Sequence, residues 1–153
     1  SGSVGQSFVS NYIHIVFSTK HRVASIIPPY EARLHDYLGR VCQSLECQPI
    51  KIGGYDDHVH ILCHLSTKVA LMILVEKLKS HSSKWMKTQD SSLHAFYWQN
   101  GYGAFSVSET HTEKLIDYIK FQKKHHQQKN FENEILEILR KNKVDYDEKY
   151  LFD

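Results

Sequence analysis

The segment His58–Leu65 reads HVHILCHL, and its alternation constrains the fold more than any other stretch of the chain. On an extended strand, successive side chains leave on opposite faces. His58, His60, Leu62 and His64 then share one face, and Val59, Ile61, Cys63 and Leu65 share the other. Such a strand needs a core on its apolar side. It also sets two imidazoles two residues apart, where their ring nitrogens can converge on one divalent ion. Spacing alone leaves that open, because a His-x-His pair on a strand is equally read as a polar sheet face.

The flanking segments supply the rest of a sheet. Tyr12–Ser18 (YIHIVFS), rich in β-branched and aromatic residues, reads as a first strand. After Pro28–Pro29, Leu34, Tyr37, Leu38, Val41 and Leu45 form a helical stripe. Pro49–Tyr55 reads as a strand broken by a bulge or bend at Gly53–Gly54, before a tight turn at Asp56–Asp57. A second helix runs from Val69 to Met86, with Leu71, Leu74, Val75, Leu78 and Trp85 inward. Ser91–Gly103 is a loop holding Phe96-Tyr97-Trp98, and Ala104–Ser108 is a fourth strand. Thr110-x-x-Glu113 reads as a capping box opening a third helix to about Gln127, with Leu115, Ile116, Ile119 and Phe121 inward. Phe131–Lys141 is a last amphipathic helix. The order β-α-β-β-α-β followed by helices matches a ferredoxin-like α+β fold. Its antiparallel sheet carries helices on one face and leaves the other for a site or a partner sheet.

Length and composition bound the function. A chain of 153 residues, 41% of them hydrophobic, reads as one globular domain over residues 6–153, behind a flexible leader or cloning scar at Ser1–Gly5. With 19 basic and 17 acidic residues the net charge is +2, so any nucleic-acid site is a local patch. Cys42, Cys47 and Cys63 are odd in number and form no C-x-x-C pair. That argues against a disulfide framework and for a reducing cytoplasm. No apolar run approaches 18 residues, which argues against a membrane span.

Two further features carry chemistry. Tyr118 and Gln122 are one turn apart on a helix and share a face. A glutamine carbonyl is a hard ligand suited to Mg²⁺ or Mn²⁺. A phenol attacks phosphorus only if its proton can leave, and with a free pKa of about 10 roughly one in a thousand is ionised at pH 7. A cation held by His58, His60 and Gln122 would favour the phenolate and polarise a phosphate. The other reading makes Tyr118 a core tyrosine beside Ile119. Candidate phosphate contacts are Lys20, Arg22, Lys79, Lys84 and Lys123, with Trp98 and Tyr102 as stacking platforms for unpaired bases. Each also reads as a solvated face or as core packing.

The segment Asp57-His58-Val59-His60-Ile61-Leu62 resembles the His-hydrophobic-His metal motif of the HUH nucleases. Tyr118-Ile119-x-x-Gln122 is similar to the nucleophile helix of their single-tyrosine branch. The opening Thr19-Lys20-His21-Arg22, the run from Trp98 to Ser108, and the tail Val144-Asp145-Tyr146-Asp147-x-x-Tyr150-Leu151 resemble the same branch. Asp56 departs from it, standing where many relatives have proline. The set resembles small insertion-sequence transposases, close to REP-associated tyrosine transposases. The resemblance implies Mg²⁺- or Mn²⁺-dependent cleavage and rejoining of single-stranded DNA near hairpins, without ATP. It assigns Tyr118 the nucleophile's role through a 5′-phosphotyrosine link. It also implies a homodimer with merged sheets and sites shared between subunits, acting in the cytoplasm and on the nucleoid. A domesticated relative that processes repeated hairpins, or a non-catalytic single-strand binder on the same fold, are the other readings.

Overall fold

The computed structural model describes residues 5–149 and 151, so most of the leader and Tyr150 lie outside the described residues. Four strands form the sheet: β1 Tyr12–Ser18, β2 Pro49–Gly54, β3 His58–His64 and β4 Gly103–Val107. They lie in the order β2-β3-β1-β4 with every neighbouring pair antiparallel. Helix α1 (Tyr30–Ser44) joins β1 to β2, and α2 (Leu71–Gln89) joins β3 to β4. This is the ferredoxin-like α+β arrangement.

Register explains where the core lies. Ile15 pairs with Ile61 and Phe17 with Val59, so the apolar sets of β1 and β3 fall on one side. Leu34, Leu38 and Val41 of α1 and Leu74, Val75, Leu78 and Met86 of α2 pack there. The opposite face is covered by the chain's own C-terminal helices: α3 (Thr112–Lys120), α4 (Gln122–His125) and α5 (Phe131–Lys141). There Phe131, Ile135 and Leu139 of α5 meet Val16 and Phe105 in a second, smaller cluster. Asn130 caps α5 by accepting a hydrogen bond from the Asn133 backbone N–H at 2.9 Å.

Three local expectations change. The strand is not bulged at Gly53–Gly54, which pair with His60 and Val59; the irregularity lies between Pro49 and Lys51. Gly53 is needed for close packing instead, since a Cβ there would stand 2.7 Å from Ile119 Cγ2 and 2.8 Å from the Ile119 carbonyl oxygen. The helix expected to run unbroken to Gln127 breaks at Phe121, whose ψ of 26° departs from helical values and whose side chain is exposed rather than inward. The capping box does not form: α3 starts after His111 with no side-chain cap, and Thr110 sits in a preceding 3₁₀ turn, Glu109–His111.

Candidate metal centre and nucleophile

His58 and His60 project from β3 into the small-cluster face, as the alternation requires, and both are fully buried. Each ring is held through its Nδ1. His58 Nδ1 is 2.7 Å from Asp57 Oδ1. His60 Nδ1 is 2.8 Å from Nε2 of His14, whose ring stacks on it from β1. The Nε2 atoms are left facing α5. His64 lies farther along the strand, half-buried, with its Nε2 3.1 Å from the Val9 carbonyl oxygen.

Between the Nε2 atoms sits Glu134, a fully buried carboxylate on α5. Its Oε1 is 3.3 Å from His58 Nε2, 3.2 Å from His60 Nε2 and 3.1 Å from His126 Nε2. Its Oε2 accepts hydrogen bonds from the Tyr118 hydroxyl and, at 2.9 Å, from Gln122 Nε2. Gln122 turns its Oε1 to His58 Nε2 at 2.8 Å and to His126 Nε2 at 3.1 Å. Tyr118, half-buried, lies edge-on to His60 and stacks on His125. The break at Phe121 does not separate Tyr118 from Gln122, since both reach the histidines of their own chain.

The family model described as "Transposase IS200 like" matches residues 7–122. The chain belongs to the IS200-like transposase family. It is 27% identical over 114 residues to the transposase for insertion sequence element IS200 of Salmonella typhimurium, covering 71% of this chain and 74% of that protein. The Salmonella typhi transposase of the same element matches to the same extent. Two solved structures share the fold at a TM-score of 0.60. A putative transposase from Deinococcus radiodurans R1 is 20% identical, covering 79% of this chain and 98% of that one. A REP-associated tyrosine transposase bound to a REP hairpin is 11% identical, covering 82% and 74%. The family match ends at Gln122, so Glu134 and His126 come from outside it.

The donor chemistry fits a divalent cation. One ligand atom each from His58, His60 and Glu134 lie within 4.8 Å of one another, and all three residues are buried. Two imidazole nitrogens, a carboxylate and the Gln122 carbonyl make a mixed N/O set of the kind that suits Mn²⁺, with Mg²⁺ accepting the oxygens. Asp57 and His14 fix the rings from behind, as outer partners of metal-bound histidines do.

The cluster's electrostatics show what a cation would change. Burial works against a charged His58, but hydrogen bonds to Asp57 and Glu134 outweigh it and push the pKa up to about 9. Burial would raise Glu134, yet hydrogen bonds from His126, His58 and His60 hold its carboxyl far below the usual range. Burial first, and then the Glu134 charge, push the Tyr118 phenol above its ordinary value. Beside the Glu134 carboxylate the phenol therefore stays protonated near neutral pH. A cation between His58, His60 and Glu134 would reverse the sign of the local charge.

The nominated nucleic-acid contacts are not gathered at this centre. Trp98 is buried in the α1/α2 core, edge-on to Phe17 and Phe96, and its Nε1 donates to Ser82 Oγ at 2.9 Å. At 7% exposure the ring is not offered to a base. Lys79 Nζ donates to the carbonyls of Gln99, Asn100 and Gly101 at 2.6–3.2 Å, stapling that loop to α2, and burial lowers its pKa to about 8. It serves the loop rather than a phosphate. Arg22 pairs with Glu132 at 3.2 Å and Lys123 with Glu31 at 3.5 Å. Lys20 and Lys84 are exposed, and the Tyr102 ring is partly exposed beside Lys79.

Sequence reasoning missed Glu134, His14 and the inward turn of His126. A signal for Glu134 was present. Phe131, Glu134, Ile135, Ile138 and Leu139 follow the i, i+3, i+4 rhythm, which puts one carboxylate on an otherwise apolar stripe. His126 follows the break at Phe121, which helical periodicity does not reveal.

Proposed function

We propose that this transposase cleaves and rejoins single-stranded DNA through attack of Tyr118 on a phosphodiester, at a divalent ion held by His58, His60 and Glu134 with Gln122. The observation that carries the reading is the shared carboxylate. Glu134 faces both histidines with Oε1 and accepts the Tyr118 hydroxyl with Oε2. Nucleophile and ligand set thus meet on one side chain.

Tyr118 would form the new bond to phosphorus as the bond to the departing 3′-oxygen breaks. The products are a 5′-phosphotyrosine and a free 3′-hydroxyl. Glu134 Oε2 accepts the phenol's hydrogen bond and orients it; the phenol proton passes to solvent, and solvent supplies one to the departing 3′-oxygen. Mg²⁺ or Mn²⁺ would polarise the scissile phosphate and offset the growing negative charge. Gln122 and His126 orient Glu134, and Asp57 and His14 keep the histidine rings aimed. A second strand's 3′-hydroxyl reverses the step, so ATP is not needed. The neighbour bound to a REP hairpin supports hairpin-flanked DNA as the substrate. The resemblance points to a homodimer working on chromosomal DNA in the cytoplasm, although Tyr118 and Gln122 already complete the set within one chain.

The test is incubation of labelled single-stranded hairpin DNA with the protein and Mn²⁺, read on a denaturing gel. The expected result is a covalent adduct that Tyr118→Phe abolishes while hairpin binding persists. His58→Ala or His60→Ala should remove both cleavage and its metal dependence. An adduct of undiminished yield in the Phe variant would overturn the role of Tyr118. Binding by the unmodified chain with no adduct at all would make it a single-strand binder.

A further inference from the structure

A cavity of about 940 Å³ opens between β4, α3 and α5. Its volume lies in the range of ligand-sized clefts, ~300–1,000 Å³. Tyr118 lines it, with Phe105, Leu115 and Ile138 as an apolar floor. Lys114, Arg140 and Lys141 stand on its rim and are exposed. None of the three makes a salt bridge to a described residue. The one carboxylate in the lining, Glu137, is engaged at 2.5 Å by Lys129 Nζ. The groove beside the nucleophile is therefore apolar below and cationic above, a pattern that suits nucleotides, whose bases are flat and apolar and whose phosphates are anionic.

We propose that this groove carries the single strand whose phosphate reaches Tyr118, with Lys114, Arg140 and Lys141 gripping the flanking phosphates. The proposal rests on the strand-cleaving reading above and names the surface that reading lacks. The cations singled out in the sequence lie elsewhere or are committed. Lys79 serves loop carbonyls, and Arg22 and Lys123 are paired with glutamates. A second copy of the chain is the competing occupant, since β4 is an edge strand. Two-fold pairing across this groove would bring two cationic rims together, which charge repulsion opposes, whereas a polyanion is attracted.

Lys114→Gln, Arg140→Gln and Lys141→Gln, combined in the full chain, test it without creating a buried change. The probe is a fluorescein-labelled single-stranded hairpin with an unpaired flank, titrated at several salt concentrations. The expected result is at least tenfold weaker binding and a salt slope lower by about 2, since each lost single-strand phosphate contact removes ~0.7. Mn²⁺ affinity should be unchanged. A control with Arg33, Arg40 and Lys77 changed to Gln, all exposed on α1 and α2 away from the groove, should bind as the parent does. Equal losses in both triples, or an unchanged slope in the first, would overturn the proposal. So would a change of oligomeric mass by light scattering with DNA affinity intact, which would assign the groove to a second copy. If Tyr118 forms no adduct yet the first triple alone loses binding, the groove stands and the cleavage reading falls.

Discussion

On one face of the sheet, Ile15, Phe17, Val59 and Ile61 meet Leu34, Leu38, Leu74 and Leu78, with scarcely a polar atom among them. On the other face the same two strands present His14, His58 and His60 to Tyr118, Gln122 and Glu134. The two-residue period of β1 and β3 sends alternate side chains to opposite duties. The apolar face is held by burial, which has no direction and tolerates small shifts. The polar face needs a partner for each buried atom, because an unpaired charge there costs several kcal/mol. Glu134 meets that demand with contacts to five side chains. Stability and chemistry are thus separated by the thickness of a sheet, and changes on the two faces should have separable effects.

The largest separation is expected for Phe17→Ala. It should lower stability by about 3–5 kcal/mol in urea unfolding, as large core truncations do. Mn²⁺ affinity of the folded fraction should stay the same. Lost metal affinity without lost stability would break the comparison.

Among the described residues, one buried side-chain polar atom lacks a partner, and it lies on α1. His35 of α1 is largely buried, and its Nε2 has no hydrogen-bond partner among the described residues. Burial, with the nearby positive charges of Lys123, Lys51 and His58, lowers its pKa to about 4; Asp36 and Arg40 flank it on its own helix side. The unfolded chain takes up this proton near pH 6.5, and the folded chain refuses it until about pH 4. The stability it preserves is therefore complete above pH 6.5 and falls as pH drops towards 4, by at most about 3 kcal/mol. His35→Leu should flatten that part of the stability profile. A profile as steep as the parent's would place the acid sensitivity elsewhere.

On the polar face, Glu134→Gln should weaken Mn²⁺ binding by about 100-fold in calorimetry, with the sheet intact by circular dichroism. Asp57→Ala, which frees the His58 ring from behind, should cost about tenfold. Unchanged affinity in both variants would show that the cluster is a buried hydrogen-bond network and no metal site.

Much of this was legible in the sequence, for physical reasons. The strand boundaries at Tyr12–Ser18 and the last helix at Phe131–Lys141 follow directly from alternation and amphipathic rhythm. The pairing of Tyr118 with Gln122 follows from helical spacing. What stayed hidden depends on tertiary approach. Gly53 looked like a bend because nothing local reveals that α3 lies against it. Trp98 looked like a stacking platform because its Ser82 partner is 16 residues away. Glu134 comes from α5, beyond the matched family region, and only the fold carries it back over β3.

Tyr118 is the residue proposed to meet DNA at the candidate metal site. Peptide mapping by mass spectrometry of the adduct formed with hairpin DNA and Mn²⁺ tests this most directly. The expected result is a nucleotide phosphate on Tyr118 alone among the nine tyrosines. A phosphate on another residue, or none in DNA that has been cleaved, would contradict it.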